Sequence, residues 1–118
     1  ILANQVECHP LLPQGDLREH CVDVGVDVVA YAPLAHGHVF DVPELQSVAE
    51  DHGVSVPRVT LAWLRAKGVA AVPKATSEAH VRDNWASRDL DLSDADVATI
   101  DGIERTERFF DPDYAPDW

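Results

Sequence analysis

VAAVPKATSEAHVRDN, residues 69–84, reads as a strand, a turn and the start of a helix. The apolar run Val69, Ala70, Ala71, Val72 meets Pro73, then Lys74, then small hydroxylated residues, then a segment of helical character. Ser77 can cap that helix with its side-chain oxygen, which leaves free N–H groups of the first turn facing whatever sits above the strand. A phosphate suits such a place, because the helix dipole and the free donors both favour an anion. Lys74 adds a full positive charge in a chain with only one other lysine, Lys67. An ordinary strand-to-helix loop with a solvated lysine accounts for the same residues, so the meaning of the stretch depends on what surrounds it.

The chain has 118 residues, enough for one small domain with a single core. Its 21 acidic and 9 basic residues give a net charge of -12, which argues against nucleic acid and anionic membranes as partners, since both require a basic face. Abundant carboxylates with scarce lysine also resemble the surfaces of proteins that work at high salt. Cys8 and Cys21 fall at a strand end and on the apolar side of a helix, the pattern of buried thiols. The N-terminus lacks a basic start followed by an apolar core, and no window approaches the roughly 18 apolar residues of a membrane span. A soluble, reducing, cytoplasmic setting is the expectation.

Residues 1–8 read as a strand already in progress, closed by His9-Pro10. An amphipathic helix over residues 16–24 places Leu17, Cys21 and Val24 on one face, with Gly25 to stop it. Residues 26–31 form a second strand, so the unit is β-α-β with parallel strands and a crossover helix. Asp41 and Glu44 resemble a capping box for a helix running to His52 and stopped by Gly53. Ser55 caps the next helix, which is apolar on most sides and therefore deeply packed before Lys67-Gly68. The opening stretch supplies the third strand and a helix with Val81 and Trp85 facing inward, and Ser93 starts a last helix carrying Val97, Ile100 and Ile103. The class is α/β, three parallel strands with flanking helices. Standing alone, such a sheet would have open edges, so the sequence reads as part of something larger.

Three segments in order resemble the C-terminal half of the aldo-keto reductase family: Asn4-Gln5-Val6-Glu7 with His9-Pro10, then Val29-Ala30-Tyr31-Ala32-Pro33-Leu34, then Val72-Pro73-Lys74-Ala75-Thr76 followed by Asp83-Asn84. The resemblance covers nearly the whole chain. It implies a TIM (β/α)8 barrel that binds a nicotinamide dinucleotide, with residues 1–118 supplying only strands six to eight as a partial barrel domain. TIM barrels place functional groups at the C-terminal ends of strands, with phosphate sites after strands seven and eight. Tyr31 and Lys74 each fall where a strand ends.

By that resemblance, Tyr31 stacks on the nicotinamide, Gln5 hydrogen-bonds its carboxamide, and Ala32, Pro33 and Leu34 line the pyrophosphate. Lys74, Ala75 and Thr76 hold the adenosine-ribose phosphate, His80 lies beside it, and Asp83 and Asn84 touch adenine. A core tyrosine and a merely structural glutamine are the competing accounts of Tyr31 and Gln5. NADP is the implied cofactor. Ala75 and His80 stand where many members carry Ser and Arg, and an imidazole does not reproduce the bidentate guanidinium fork, which leaves NAD open as well. No catalytic residue is assigned, because the family's Tyr, Lys, Asp and His lie on strands of the N-terminal half.

The implied activity is NAD(P)H-dependent reduction of aldehydes or ketones, a small carbonyl compound being the substrate, with this part inactive alone. The alternative is a non-catalytic nucleotide-binding or regulatory module, its open edges satisfied by self-association or by a partner chain in place of the missing N-terminal half. His36-Gly37-His38 reads as solvated loop histidines and no metal site is assigned. The aromatic tail, Phe109, Phe110, Tyr114 and Trp118, reads equally as a flap over a substrate pocket and as a clasp for the terminus.

Overall fold

Three segments separated by helices become three parallel strands in the computed structural model, which describes residues 1–110. They are β1 (Ala3–Glu7), β2 (Asp27–Tyr31) and β3 (Ala70–Ala71), in the order β1-β2-β3. Gln5 pairs with Val29, Glu7 with Tyr31, and Ala30 with Ala71. Side chains alternate across the sheet, so Val28 and Ala30 are buried against helices while Gln5 and Val72 are exposed on the opposite face. The third strand is shorter than its apolar run, although the Val72 N–H still donates to the Ala30 carbonyl at 3.0 Å.

Helix α1 (Gly15–Val24) crosses from β1 to β2 and ends at Gly25, whose φ of 73° lets its N–H bond back to the Cys21 and Val22 carbonyls. Between β2 and β3 the chain makes a 3-10 segment, Ala35–Asp41, then α2 (Pro43–His52) and α3 (Val56–Ala66). The Arg58 N–H donates to the Ser55 hydroxyl at 3.2 Å, the expected cap of α3. Val59, Thr60, Leu61, Ala62, Trp63 and Leu64 are all buried, which makes α3 the most deeply packed of the described helices. Trp63 Nε1 donates to Asp101 at 2.9 Å and Lys67 reaches the other oxygen of that carboxylate at 2.6 Å, tying α3 to the last helix. Helices α4 (Glu78–Ala86) and α5 (Asp94–Asp101) complete the described fold, and Ser93 with Asp96 forms a reciprocal capping box on α5. No helix among the described residues is long and apolar enough to cross a membrane.

Three local expectations are corrected. Helix α2 is not capped by Asp41: Val42 is the capping residue, without a side-chain bond, and Pro43 fills the first turn, where a missing N–H needs no partner. Val24 is 56% exposed at the end of α1, leaving Cys21 as the buried residue of that helix. Val81 and Trp85 are 56% and 66% exposed instead of facing inward. Helix α4 follows β3, an edge strand with no further neighbour among the described residues, and Val81 and Trp85 lie on its exposed side. The Trp85 ring is instead covered by the Arg88 guanidinium, 4.1 Å from its centroid.

Glu7, at the end of β1, joins the two ends of the described chain. Its carboxylate is buried and accepts from His9 Nε2 at 2.8 Å and from the N–H groups of Phe109 and Phe110 at 2.9 and 2.7 Å. The Leu11 N–H donates to His9 Nδ1, which assigns the ring proton to Nε2 and makes the pair a neutral imidazole and an ionised carboxylate. Burial holds the His9 pKa below its ordinary 6.5 despite the opposing pull of Glu7. Burial pushes the Glu7 carboxyl up, but the donors from Phe109, His9 and Phe110 outweigh it and hold it below 4.5.

Both shifts mean that the folded chain binds protons less readily than the unfolded one. Their stabilisation is therefore complete above pH 6.5 and is lost on acidification, through His9 first and Glu7 at lower pH. In about 1 M salt, where long-range repulsion among the surface carboxylates is screened, the urea midpoint should fall between pH 7.5 and 5. A midpoint that rises over that interval would contradict the assignment. Both cysteines are free and buried, and burial raises the Cys8 thiol to about 11 against the pull of Arg18. The native chain at pH 8 should accordingly resist a thiol reagent that reacts with both cysteines in urea, and rapid labelling of Cys8 in the folded state would refute this.

Candidate functional site

Parallel strands end at a common edge, and the exits of β2 and β3 frame a cleft of ≈ 790 Å³ there. Tyr31 is the last residue of β2, and Ala32, Pro33 and Leu34 continue from it along the wall. Lys74 and Thr76 enter from the turn after β3, followed by His80, Asp83 and Asn84 from α4. His36, Gly37, Phe40, Pro57, Val72 and Phe110 complete the lining, most of them apolar. Gln5 and Ala75 are the two sequence-derived candidates outside it. Gln5 is exposed on the uncovered face of the sheet, in register with Val29, and Ala75 sits between the two residues that do line the cleft.

The turn after β3 has the geometry read from its sequence. Ser77 caps α4, its hydroxyl accepting the His80 N–H at 3.2 Å, and Lys74 stands exposed just ahead of that helix start. Glu78, in the same first turn, is paired with Arg82 at 2.6 Å, which offsets its charge there. Asp83 is held more firmly. One oxygen accepts from Arg58 Nε at 2.6 Å and the other from the Ser55 hydroxyl at 2.5 Å, so the N-terminus of α3 is tied to the middle of α4. The ion pair also keeps this carboxylate from opposing an anion near Lys74. The order of the residues hinted at Ser55 as a cap but gave no local sign that Arg58 would reach Asp83.

The loop leaving β2 carries backbone conformations that sequence reading missed. Ala32, Ala35 and His36 have φ of 47°, 50° and 52°, and Gly37 has 89°. Left-handed non-glycine residues cost on the order of 1–3 kcal/mol each and collect where surrounding structure holds them for a purpose. Gly37 was the one residue in this loop whose type announced such a turn. His36 and His38 are exposed, and among the described residues no three His, Cys, Asp or Glu side chains gather as a metal site would require.

The start of the aromatic tail does two things at once. Phe109 stacks on His38 with centroids 4.3 Å apart, as a clasp would, while Phe110 meets Tyr31 edge-on at 5.7 Å and lines the cleft, as a flap would. Tyr114 and Trp118 lie outside the described residues. The cleft thus offers a flat aromatic ring, apolar walls, a cation and a capped helix start. That set fits an elongated ligand with a planar ring and an anionic group.

The Aldo/keto reductase family model matches residues 1–105. A glyoxal reductase of Bacillus subtilis is 37% identical over 91% of this chain, which spans 39% of that enzyme. An aldose reductase structure from Giardia lamblia superposes with a TM-score of 0.87 at 29% identity, covering 94% of this chain and 40% of the other. An aldo-keto reductase solved with NADPH gives a TM-score of 0.79 at 29% identity, covering 90% and 36%. The chain therefore spans about two fifths of the proteins it matches, and its three strands with their helices are the C-terminal part of a TIM barrel. With the family model matched over most of its length and the parallel strand ends arranged around one cleft, this chain belongs to the aldo/keto reductase family.

Proposed function

We propose that this chain is the cofactor-holding part of an NAD(P)H-dependent reductase that converts small aldehydes or ketones to alcohols. The observation that carries the reading is the convergence of Tyr31, the residue 32–34 backbone, Lys74, Thr76, His80, Asp83 and Asn84 on a single cleft at the strand ends. A relative that reduces glyoxal and a family structure solved with NADPH support the substrate class and the cofactor.

In this reading the Tyr31 ring packs flat against the nicotinamide, and Gln5 reaches its carboxamide from the uncovered face of the sheet. Residues 32–34 contact the pyrophosphate. Lys74, Thr76, the Ala75 backbone and the start of α4 hold the phosphate on the adenosine ribose, with His80 beside it. Asn84 and Asp83 face adenine, Asp83 using lone pairs left free by Arg58 and Ser55. The bound dinucleotide supplies hydride chemistry. The residues of this chain orient that ligand and keep water from one side of it. The proton for the developing alkoxide comes from a general acid on the remaining strands of the barrel.

In this reading residues 1–118 form one partial barrel domain, completed by the remaining strands of the barrel, and the two free thiols suit the cytoplasm. The uncovered sheet face and the exposed Ile1, Leu2, Val72 and Trp85 favour a second reading as well. In it the same surfaces dock a partner chain, and the assembly binds nucleotide without catalysis.

The complete barrel containing this chain should oxidise NADPH in the presence of a small aldehyde, and a folded complete protein without this activity would leave only the second reading. Lys74→Met should raise the Kd for NADPH by about 10- to 100-fold, the loss of one charge-assisted contact. The Kd for NADH should change far less. Equal loss for both cofactors would show that Lys74 does not meet the ribose phosphate.

A further inference from the structure

Glu7 takes no part in the ligand contacts described above, yet it is 1% exposed and ends its strand at the same edge of the sheet as the cleft. Burying an ionised carboxylate is unfavourable unless its oxygens find donors. Two of its three donors come from backbone 102 and 103 residues further along, the N–H groups of Phe109 and Phe110. The third is His9 Nε2, held in place by the Leu11 N–H on the other ring nitrogen and by the antiparallel bridge between His9 and Leu12. The segment gains a further backbone bond from the Glu107 N–H to the Leu11 carbonyl at 2.8 Å, and the Phe109 ring lies between His38 at 4.3 Å and His9 at 5.6 Å. Held this way, Phe110 has little freedom in where it projects. Its ring meets Tyr31 at 5.7 Å with an interplanar angle of 81° and forms part of the cleft wall while remaining 46% exposed.

We propose that Glu7 is a positioning residue that seats the segment ending at Phe110 and, through Phe110, sets the width of the cleft beside Tyr31 and hence which carbonyl substrates are accepted. The inference rests on the reading of that cleft as the nicotinamide end of a reductase site. A carboxylate is suited to the task because it presents acceptors only, four lone-pair sites for three converging N–H groups. An amide at the same place would turn N–H donors toward those of Phe109, Phe110 or His9, and the segment would lose its seat.

Two variants and two readouts test this. In the chain itself, Glu7→Gln should accelerate amide exchange at Phe109 and Phe110 by at least about tenfold while the amides of α3 stay protected. Phe110→Ala, which removes a partly exposed ring, should leave the Phe109 amide protected. In the complete barrel, both variants should shift the ratio of kcat/KM for benzaldehyde over acetaldehyde by about fivefold toward the bulkier aldehyde. That shift should be carried in the KM for the aldehyde, and the double variant should go no further than either single one.

Unchanged exchange at Phe109 and Phe110 in a folded Glu7→Gln protein would overturn the seating role. An unshifted ratio in an active Phe110→Ala enzyme would overturn the specificity role, and it decides the matter even if Glu7→Gln fails to fold. A wild-type complete barrel that does not oxidise NADPH would instead refute the reductase reading, and the exchange result would still report on the seating of the segment.

Discussion

Parallel pairing is the constraint on which everything else in this molecule depends. Because β1, β2 and β3 run the same way, their C-terminal ends meet at one edge, and residues as distant in sequence as Glu7, Tyr31 and Lys74 are delivered to neighbouring places. The same pairing forces the chain to return after each strand, which requires crossover helices and explains why α3 carries so much of the buried surface. A ligand site at the strand ends follows from this geometry without any special feature of the helices. The helices instead refine it. Asp83 fixes α4 against the start of α3 through Arg58 and Ser55, and that brace holds the wall carrying His80 and Asn84.

Among the described residues, helices cover only one face of the sheet. Parallel sheets are normally covered on both faces, yet here Gln5, Val29 and Val72 lie on a face that no described helix reaches, and Val81 and Trp85 extend the apolar surface beyond β3. In a closed barrel of eight strands the corresponding face is the interior, and the helices form an outer ring around it. The exposures are thus those of three strands taken from a closed ring. They agree with a chain that spans about two fifths of its relatives.

What was legible in the sequence was local. Gly25 and Gly53 stop helices because each takes a left-handed conformation, and Ser55, Ser77 and Ser93 start them because a hydroxyl satisfies a free N–H within three residues. These signals need no tertiary context. The orientation of Val81 and Trp85 could not be read the same way, since an apolar stripe shows that a helix packs but not against what. Asp41 misled because the helix begins at Pro43, which puts Val42 and not Asp41 at the capping position that the spacing with Glu44 suggested. Most cofactor candidates came from ordered motifs and converge on the cleft. The buried carboxylate of Glu7 and the left-handed backbone at Ala32, Ala35 and His36 carried no such mark. One depends on partners a hundred residues away and the other on residues whose type does not favour the conformation they adopt.

The central claim, that the exit of β3 holds the phosphate-bearing end of a nicotinamide dinucleotide, is tested most directly by the two lysines. Lys67 is tied to Asp101 and lies 5.9 Å from the centre of the Trp63 ring, away from the cleft, whereas Lys74 lines it. Amine labelling of the complete barrel, read residue by residue by mass spectrometry, should show Lys74 protected when NADPH is bound and Lys67 labelled at an unchanged rate. Equal labelling of Lys74 with and without saturating NADPH would contradict the account.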